Sequence, residues 1–64
     1  MSDETLIETI ARALWNHQED VTYDHAVEKS KQMDMDGDFY RGLLSFNRAC
    51  TEAAVKAAQE FDND

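Results

Sequence analysis

From Phe39 to Phe61 the apolar residues Phe39, Leu43, Phe46, Cys50, Ala53, Ala57 and Phe61 recur at steps of 4, 3, 4, 3, 4 and 4. That spacing sets all of them along one stripe of an α-helix and is almost a heptad seam. The chain contains no proline, and nothing interrupts the stripe before Asp62. A helix over residues 39–61 rises ~34 Å. With 64 residues in all, the rest of the chain must form elements that lie along this one and bury a face against it.

Two shorter helices fit that need. Leu6, Ile7, Ile10, Ala11, Leu14 and Trp15 recur at helical spacing, with Glu4, Glu8 and Arg12 opposite, which predicts a helix over about residues 4–17. Asp3 and Glu4 stand at its positive end, where acids are favoured, and Glu8 precedes Arg12 by four residues in the better order for an ion pair. The polar run His17-Gln18-Glu19-Asp20 reads as a connection. Thr22 then reads as an N-cap, with Val21 and Ala26 placed for a hydrophobic staple and Asp24 in the first turn. Tyr23, Ala26, Val27, Ser30 and Met33 continue at helical spacing, predicting a second helix over about residues 23–33. Asp34-Met35-Asp36-Gly37-Asp38 reads as a break in which Gly37 takes a positive φ and an aspartate caps the third helix. No strand pattern competes. The sequence therefore predicts an all-α fold, a three-helix antiparallel bundle with a long C-terminal helix, forming one helical domain over residues 1–64.

Short links imply that successive helices reverse direction. The first and third would then run side by side in the same direction, with Leu6 and Ile7 near Phe39 and Leu43, and Trp15 near Ala54, Ala57 and Ala58. The third helix is the longest by about eight residues, or ~12 Å. Its last turns, with Val55, Ala58 and Phe61, are expected to overhang. Such an end is covered by the N-terminus, paired with a second subunit, or left for a partner. Phe46, Val55, Ala58 and Phe61 are accordingly the candidate dimer or partner stripe, and homodimerisation suits a chain too small to build a large core.

Charge narrows the function. Fourteen acids against six basic residues give a formal net charge of -8. A chain that holds nucleic acid by its backbone needs clustered Lys and Arg. Here Arg12, Lys29, Lys31, Arg41, Arg48 and Lys56 are scattered, so neither direct nucleic-acid binding nor an anionic membrane surface is expected. The single cysteine, Cys50, cannot form an internal disulfide, no apolar run is long enough to span a membrane, and Asp3 and Glu4 stand where a signal peptide would be basic. The reading is a cytoplasmic protein. High charge also raises disorder, which the 42% hydrophobic content and strong periodicity argue against.

Chemistry finds little support. An EF-hand loop begun at Asp34 meets Phe39 where glycine is needed and Ser45 where glutamate is needed; begun at Gln32 it fails at both ends. His17, His25 and Cys50 lack the spacing of a zinc site, and Cys50 on the apolar stripe reads as a buried small hydrophobe. No phosphate-cradling glycine loop occurs, and a domain this small leaves little volume for a desolvated catalytic carboxyl. No catalytic, metal or cofactor-binding residue is expected, and the chain reads as a non-enzyme.

The acids themselves remain. Glu19, Asp20, Asp24, Glu28, Asp34, Asp36 and Asp38 fall within twenty residues that hold only Lys29 and Lys31 in return. On a helix that is one acid about every 4 Å, against one charge every ~3.4 Å on a DNA strand. Such an array fits a groove lined with Lys and Arg. It equally fits a solvated face that keeps a small protein soluble.

The opening Leu6-Ile7-Glu8-Thr9-Ile10-Ala11-Arg12-Ala13-Leu14-Trp15 resembles the start of many short phage and prophage proteins, and Phe39-Tyr40-Arg41 and Ala53-Ala54-Val55-Lys56-Ala57-Ala58 fit their Ala-rich helical ends. The resemblance covers both ends of the chain and little of the middle. Small acidic helical phage proteins include anti-CRISPR and anti-restriction inhibitors, several of which mimic nucleic acid. The resemblance implies a protein of the host cytoplasm whose partner is a basic protein surface, such as a host nucleic-acid-binding defence complex; it carries over no functional residue, and the seven acids above are the candidate contacts on the charge reading. The alternative is a helical interaction module or dimeric accessory protein that binds through the apolar stripe.

Overall fold

The computed structural model describes residues 2–62. They form three helices, α1 (Asp3–Gln18), α2 (Tyr23–Ser30) and α3 (Met35–Asp62), and no strand. The fold is all-α, with helices packed antiparallel on a long C-terminal one. α3 has 28 residues, or ~42 Å of helix, and it sets the 46 Å long axis of a body 20 by 17 Å across.

Local chemistry places the helix starts. The Ser2 hydroxyl accepts from the Thr5 amide, and the Thr22 hydroxyl accepts from the His25 amide at 3.2 Å, each satisfying an amide that the helix leaves open. α3 begins four residues before the expected start. Asp34 Oδ1 accepts from the Gly37 amide at 2.9 Å, which is the geometry of an N-cap. Asp36 and Asp38 then fall in the first turn, at the positive end of the helix. The acidic run is thus a helix start rather than a break. Gly37 has no positive φ. Its lack of a side chain serves close approach instead: a Cβ there would lie 1.9 Å from the Gln32 carbonyl oxygen. α2 stops at Ser30, short of Met33, as Lys31 and Gln32 make tighter bonds back to the Glu28 and Lys29 carbonyls. Arg41 caps that end, donating from Nη1 to the Ser30 and Gln32 carbonyls.

The direction of α1 corrects the expected parallel pairing with α3. Gln59 Nε2 donates to Asp3, Asn47 Nδ2 donates to the Ala11 carbonyl, and Trp15 lies beside Leu43, Phe46 and Cys50. α1 therefore runs antiparallel to α3. So does α2, whose Tyr23 end lies by Leu44 and Arg48 and whose Ser30 end lies by Arg41. The chain reverses only at residues 31–34. The link at residues 19–22 does not reverse it. There Trp15 Nε1 donates to the Val21 carbonyl at 3.0 Å and the Tyr23 amide donates to Asn16 Oδ1 at 2.8 Å, so α2 starts against the end of α1. The C-terminal turns of α3 consequently do not overhang bare: Leu6 and Ile10 lie against Ala54, Val55 and Ala58.

The core is small. Ala11, Trp15, Ala26 and Val55 are the buried apolar side chains among the described residues, joined by Thr51, which is fully buried and donates to the Asn47 carbonyl at 2.8 Å. Trp15 anchors it, 2% exposed and edge-on to Tyr23.

Candidate interaction surfaces

α3 presents two faces. The inward face runs through Gly37, Tyr40, Leu44, Asn47, Thr51 and Val55, all buried or half-buried. The apolar stripe read from the sequence lies beside it and points outward. Phe39 is 62% exposed, Phe46 71% and Phe61 80%; Cys50, Ala53 and Ala57 are exposed, and Leu43 is half-buried. Cys50 is therefore not the buried hydrophobe that its place on the stripe suggested. The face that packs against α1 and α2 is rotated by one residue from the most apolar one. Of the candidate stripe residues Phe46, Val55, Ala58 and Phe61, the structure turns Val55 into the fold, at 7% exposed, and leaves Phe46, Ala58 and Phe61 on the surface. Met35, 87% exposed one turn before Phe39, extends the apolar face, and Leu14 of α1 flanks it beside Phe46. Met35 falls in the acidic run whose glycine reads as a break, which hides it from the stripe; its spacing of four from Phe39 is the signal that finds it.

Three phenylalanines exposed to this degree leave about 400 Å² of aromatic surface in water, at the 150–250 Å² such a side chain can bury. The largest apolar patch on an ordinary monomer is only ~300–600 Å² in all. On the inward face, Asn47 Oδ1 is buried without a hydrogen-bond partner among the described residues while its Nδ2 donates to the Ala11 carbonyl.

The seven acids are all exposed, and the structure divides their tasks. Asp24 bonds Arg12 at 2.5 Å, Glu28 lies 3.6 Å from Lys31, Asp38 pairs with Arg41, and Asp34 caps α3. Glu19, Asp20 and Asp36 have no ion pair among the described residues. Asp36 and Asp38 flank Gly37, which faces Gln32. At 100° per residue they fan to opposite sides of α3, so the array does not converge on one line.

All three arginines hold the helices together. Arg12 bridges α1 to α2 through Asp24 and stands 4.8 Å over the Tyr23 ring; Arg48 bridges α3 to α1 through Glu4 at 2.5 Å and also bonds Glu52 at 2.9 Å. The hydrogen bond that Arg12 donates to Asp24 raises its guanidinium above the ordinary pKa against an opposing desolvation effect, and the bonds to Glu4, then Glu52, do the same for Arg48. These pairs are well hydrated, and exposed ion pairs contribute little stability each. Their effect is to orient helices and to neutralise acids that would otherwise face a partner.

Among the described residues no three His, Cys, Asp or Glu side chains gather as a metal site, and His17 and His25 are exposed on separate helices. The segment from Met35 is helical, so the loop that a calcium hand requires is not formed there. Among the described residues no helix is long and apolar enough to cross a membrane. No known family model matches the sequence, no curated protein is significantly similar to it, and no solved structure significantly resembles the fold.

Proposed function

We propose that this chain is a non-catalytic binding protein whose contact surface is the outward apolar face of α3. The observation that carries the reading is the exposure of Phe39, Phe46 and Phe61 along one ~33 Å line (22 residues at 1.5 Å). A domain of this size gains nothing from exposing them unless another surface covers them. Association through such a face is apolar and therefore insensitive to salt. Capture from a bacterial lysate at rising salt tests it. The partner stays bound, and Phe46→Asp or Phe61→Asp releases it. Release by salt alone, with both variants binding normally, overturns the reading.

A second reading rests on the acidic segment. Residues 19–38 carry seven acids and two lysines, a net of -5, and every one of those acids is exposed. On this reading Glu19, Asp20, Asp24, Glu28, Asp34, Asp36 and Asp38 occupy a basic nucleic-acid-binding surface of a host defence complex, in the manner of an anti-CRISPR inhibitor in the host cytoplasm. It expects capture to fail as salt rises and Asp24→Lys with Glu28→Lys to abolish it. The apolar face ranks first because Asp24, Glu28 and Asp38 already have basic partners within the chain.

A further inference from the structure

The outward stripe of α3, with Met35 included, is Met35, Phe39, Leu43, Phe46, Cys50, Ala53, Ala57 and Phe61, and its steps are 4, 4, 3, 4, 3, 4 and 4. That series reads the same in both directions. Its centre is residue 48, and every stripe position i has a stripe position at 96 − i: 35 with 61, 39 with 57, 43 with 53, and 46 with 50. A twofold axis near Arg48 that sets two copies of α3 antiparallel therefore lays every stripe residue opposite another. Sizes match as well. Phe39 meets Ala57, Leu43 meets Ala53 and Phe46 meets Cys50, so the three largest inner residues each face a small one, while Met35 meets Phe61 at the two ends. Knobs of one helix need such holes in the other, and an isologous contact is the commonest form of assembly.

Resting on the reading of this face as a contact surface, we infer that its occupant is a second copy of this chain, seated antiparallel in the register that pairs residue i with residue 96 − i. Two further observations fit this occupant. The molecule carries -8 overall, but none of the eight stripe residues is charged, while Arg41 and Arg48 lie across the helix from them, bonded within the copy to Asp38, Glu4 and Glu52. Pairing along the stripe therefore sets uncharged side chains of the two acidic bodies against each other. A standard interface buries ~800 Å² per partner. The three exposed phenylalanines provide about half of that, and Met35, Leu14, Leu43, Cys50 and the alanines lie along the same face to provide the rest. The pairing also doubles an apolar core that within one copy comprises only Ala11, Trp15, Ala26 and Val55 among the described residues, the remedy small domains commonly use.

Sedimentation of the full chain over a wide concentration range, followed by a spin-label distance, tests the inference. The wild-type chain sediments at twice its 7.3 kDa, and Phe46→Asp and Phe61→Asp each weaken the dimer at least tenfold while circular dichroism shows helix content unchanged. The label goes on Glu60→Cys in a Cys50→Ala background, since Glu60 is exposed and outside the stripe. In the antiparallel register the two labels lie about 36 Å apart along the axis (24 residues at 1.5 Å). A dimer with labels near the helix spacing of ~8–10 Å is parallel and overturns the register. A wild-type chain that stays monomeric into the millimolar range overturns the second copy as occupant. In that case the contact-surface reading stands or falls separately, on whether Phe46→Asp releases a salt-resistant partner.

Discussion

The two faces of α3 invert the ordinary relation between size and burial. Inward, the buried residues are Gly37, Thr51 and Val55, small or polar, with Tyr40, Leu44 and Asn47 half-buried beside them; outward, the most exposed are Met35, Phe39, Phe46 and Phe61, large and apolar, with Cys50, Ala53 and Ala57 between them. The inward face suits close approach. Gly37 lets α3 pass against the Gln32 carbonyl, and Thr51 returns its hydroxyl to its own helix, so neither needs room or a distant partner. The outward face has size but no covering element within the described residues. A helix's most apolar stripe is not by right its core stripe. The core is wherever the neighbouring helices land, and here they land one residue round.

Substitutions ranked by expected effect on stability test this division. Trp15→Ala empties the centre of the buried cluster, and a loss of ~3–5 kcal/mol is expected for such a truncation. For so small a domain that is most of the folding free energy, and thermal melting by circular dichroism should show a chain largely unfolded at room temperature. Gly37→Ala forces a Cβ into the Gln32 carbonyl, and overpacking of this kind costs ~1–3 kcal/mol, a fall in melting temperature readable in the same experiment. Thr51→Val keeps the shape and removes one buried hydrogen bond, for a loss of ~1 kcal/mol. Gly42→Ala should have the opposite sign to Gly37→Ala. Nothing lies within 4 Å of a Cβ at Gly42, and alanine in a helix interior gains ~0.5–1 kcal/mol over glycine. Last, Phe46→Asp on the outer face should change the stability of the isolated monomer by only ~0.5 kcal/mol, despite removing a phenylalanine. If Phe46→Asp unfolds the monomer as Trp15→Ala does, the outer stripe is core and the division of faces is wrong.

Much of the fold was legible in the sequence because its signals are local. The Thr22 cap, the acids in the first turns of α1 and α2 and the apolar spacing of α1 each depend on residues close together in the chain. The start of α3 was legible in principle: an aspartate followed by acids is an N-terminal signature, but Gly37 within it suggested a break, and only the approach to Gln32 explains that glycine. The direction of α1 was not legible. Four linking residues permit either reversal or continuation, and the choice is made by Trp15 and Asn16 holding Val21 and Tyr23. The candidate acidic site was legible as composition only. The ion pairs that neutralise acids across helices are distant in sequence, Arg12 to Asp24 across twelve residues and Arg48 to Glu4 across forty-four, and periodicity carries no information about them. The stripe from Phe39 to Phe61 was legible, without Met35, but periodicity identifies a face and not what covers it.

A second copy completing the outward face of α3 is the claim that joins these findings. Melting temperature as a function of chain concentration tests it most directly, because association that stabilises the folded state makes the midpoint depend on concentration. The wild-type midpoint should rise steadily across a thousandfold increase in concentration, and the Phe46→Asp midpoint should begin to rise only at concentrations at least tenfold higher. A wild-type midpoint that does not move over that range would contradict the claim.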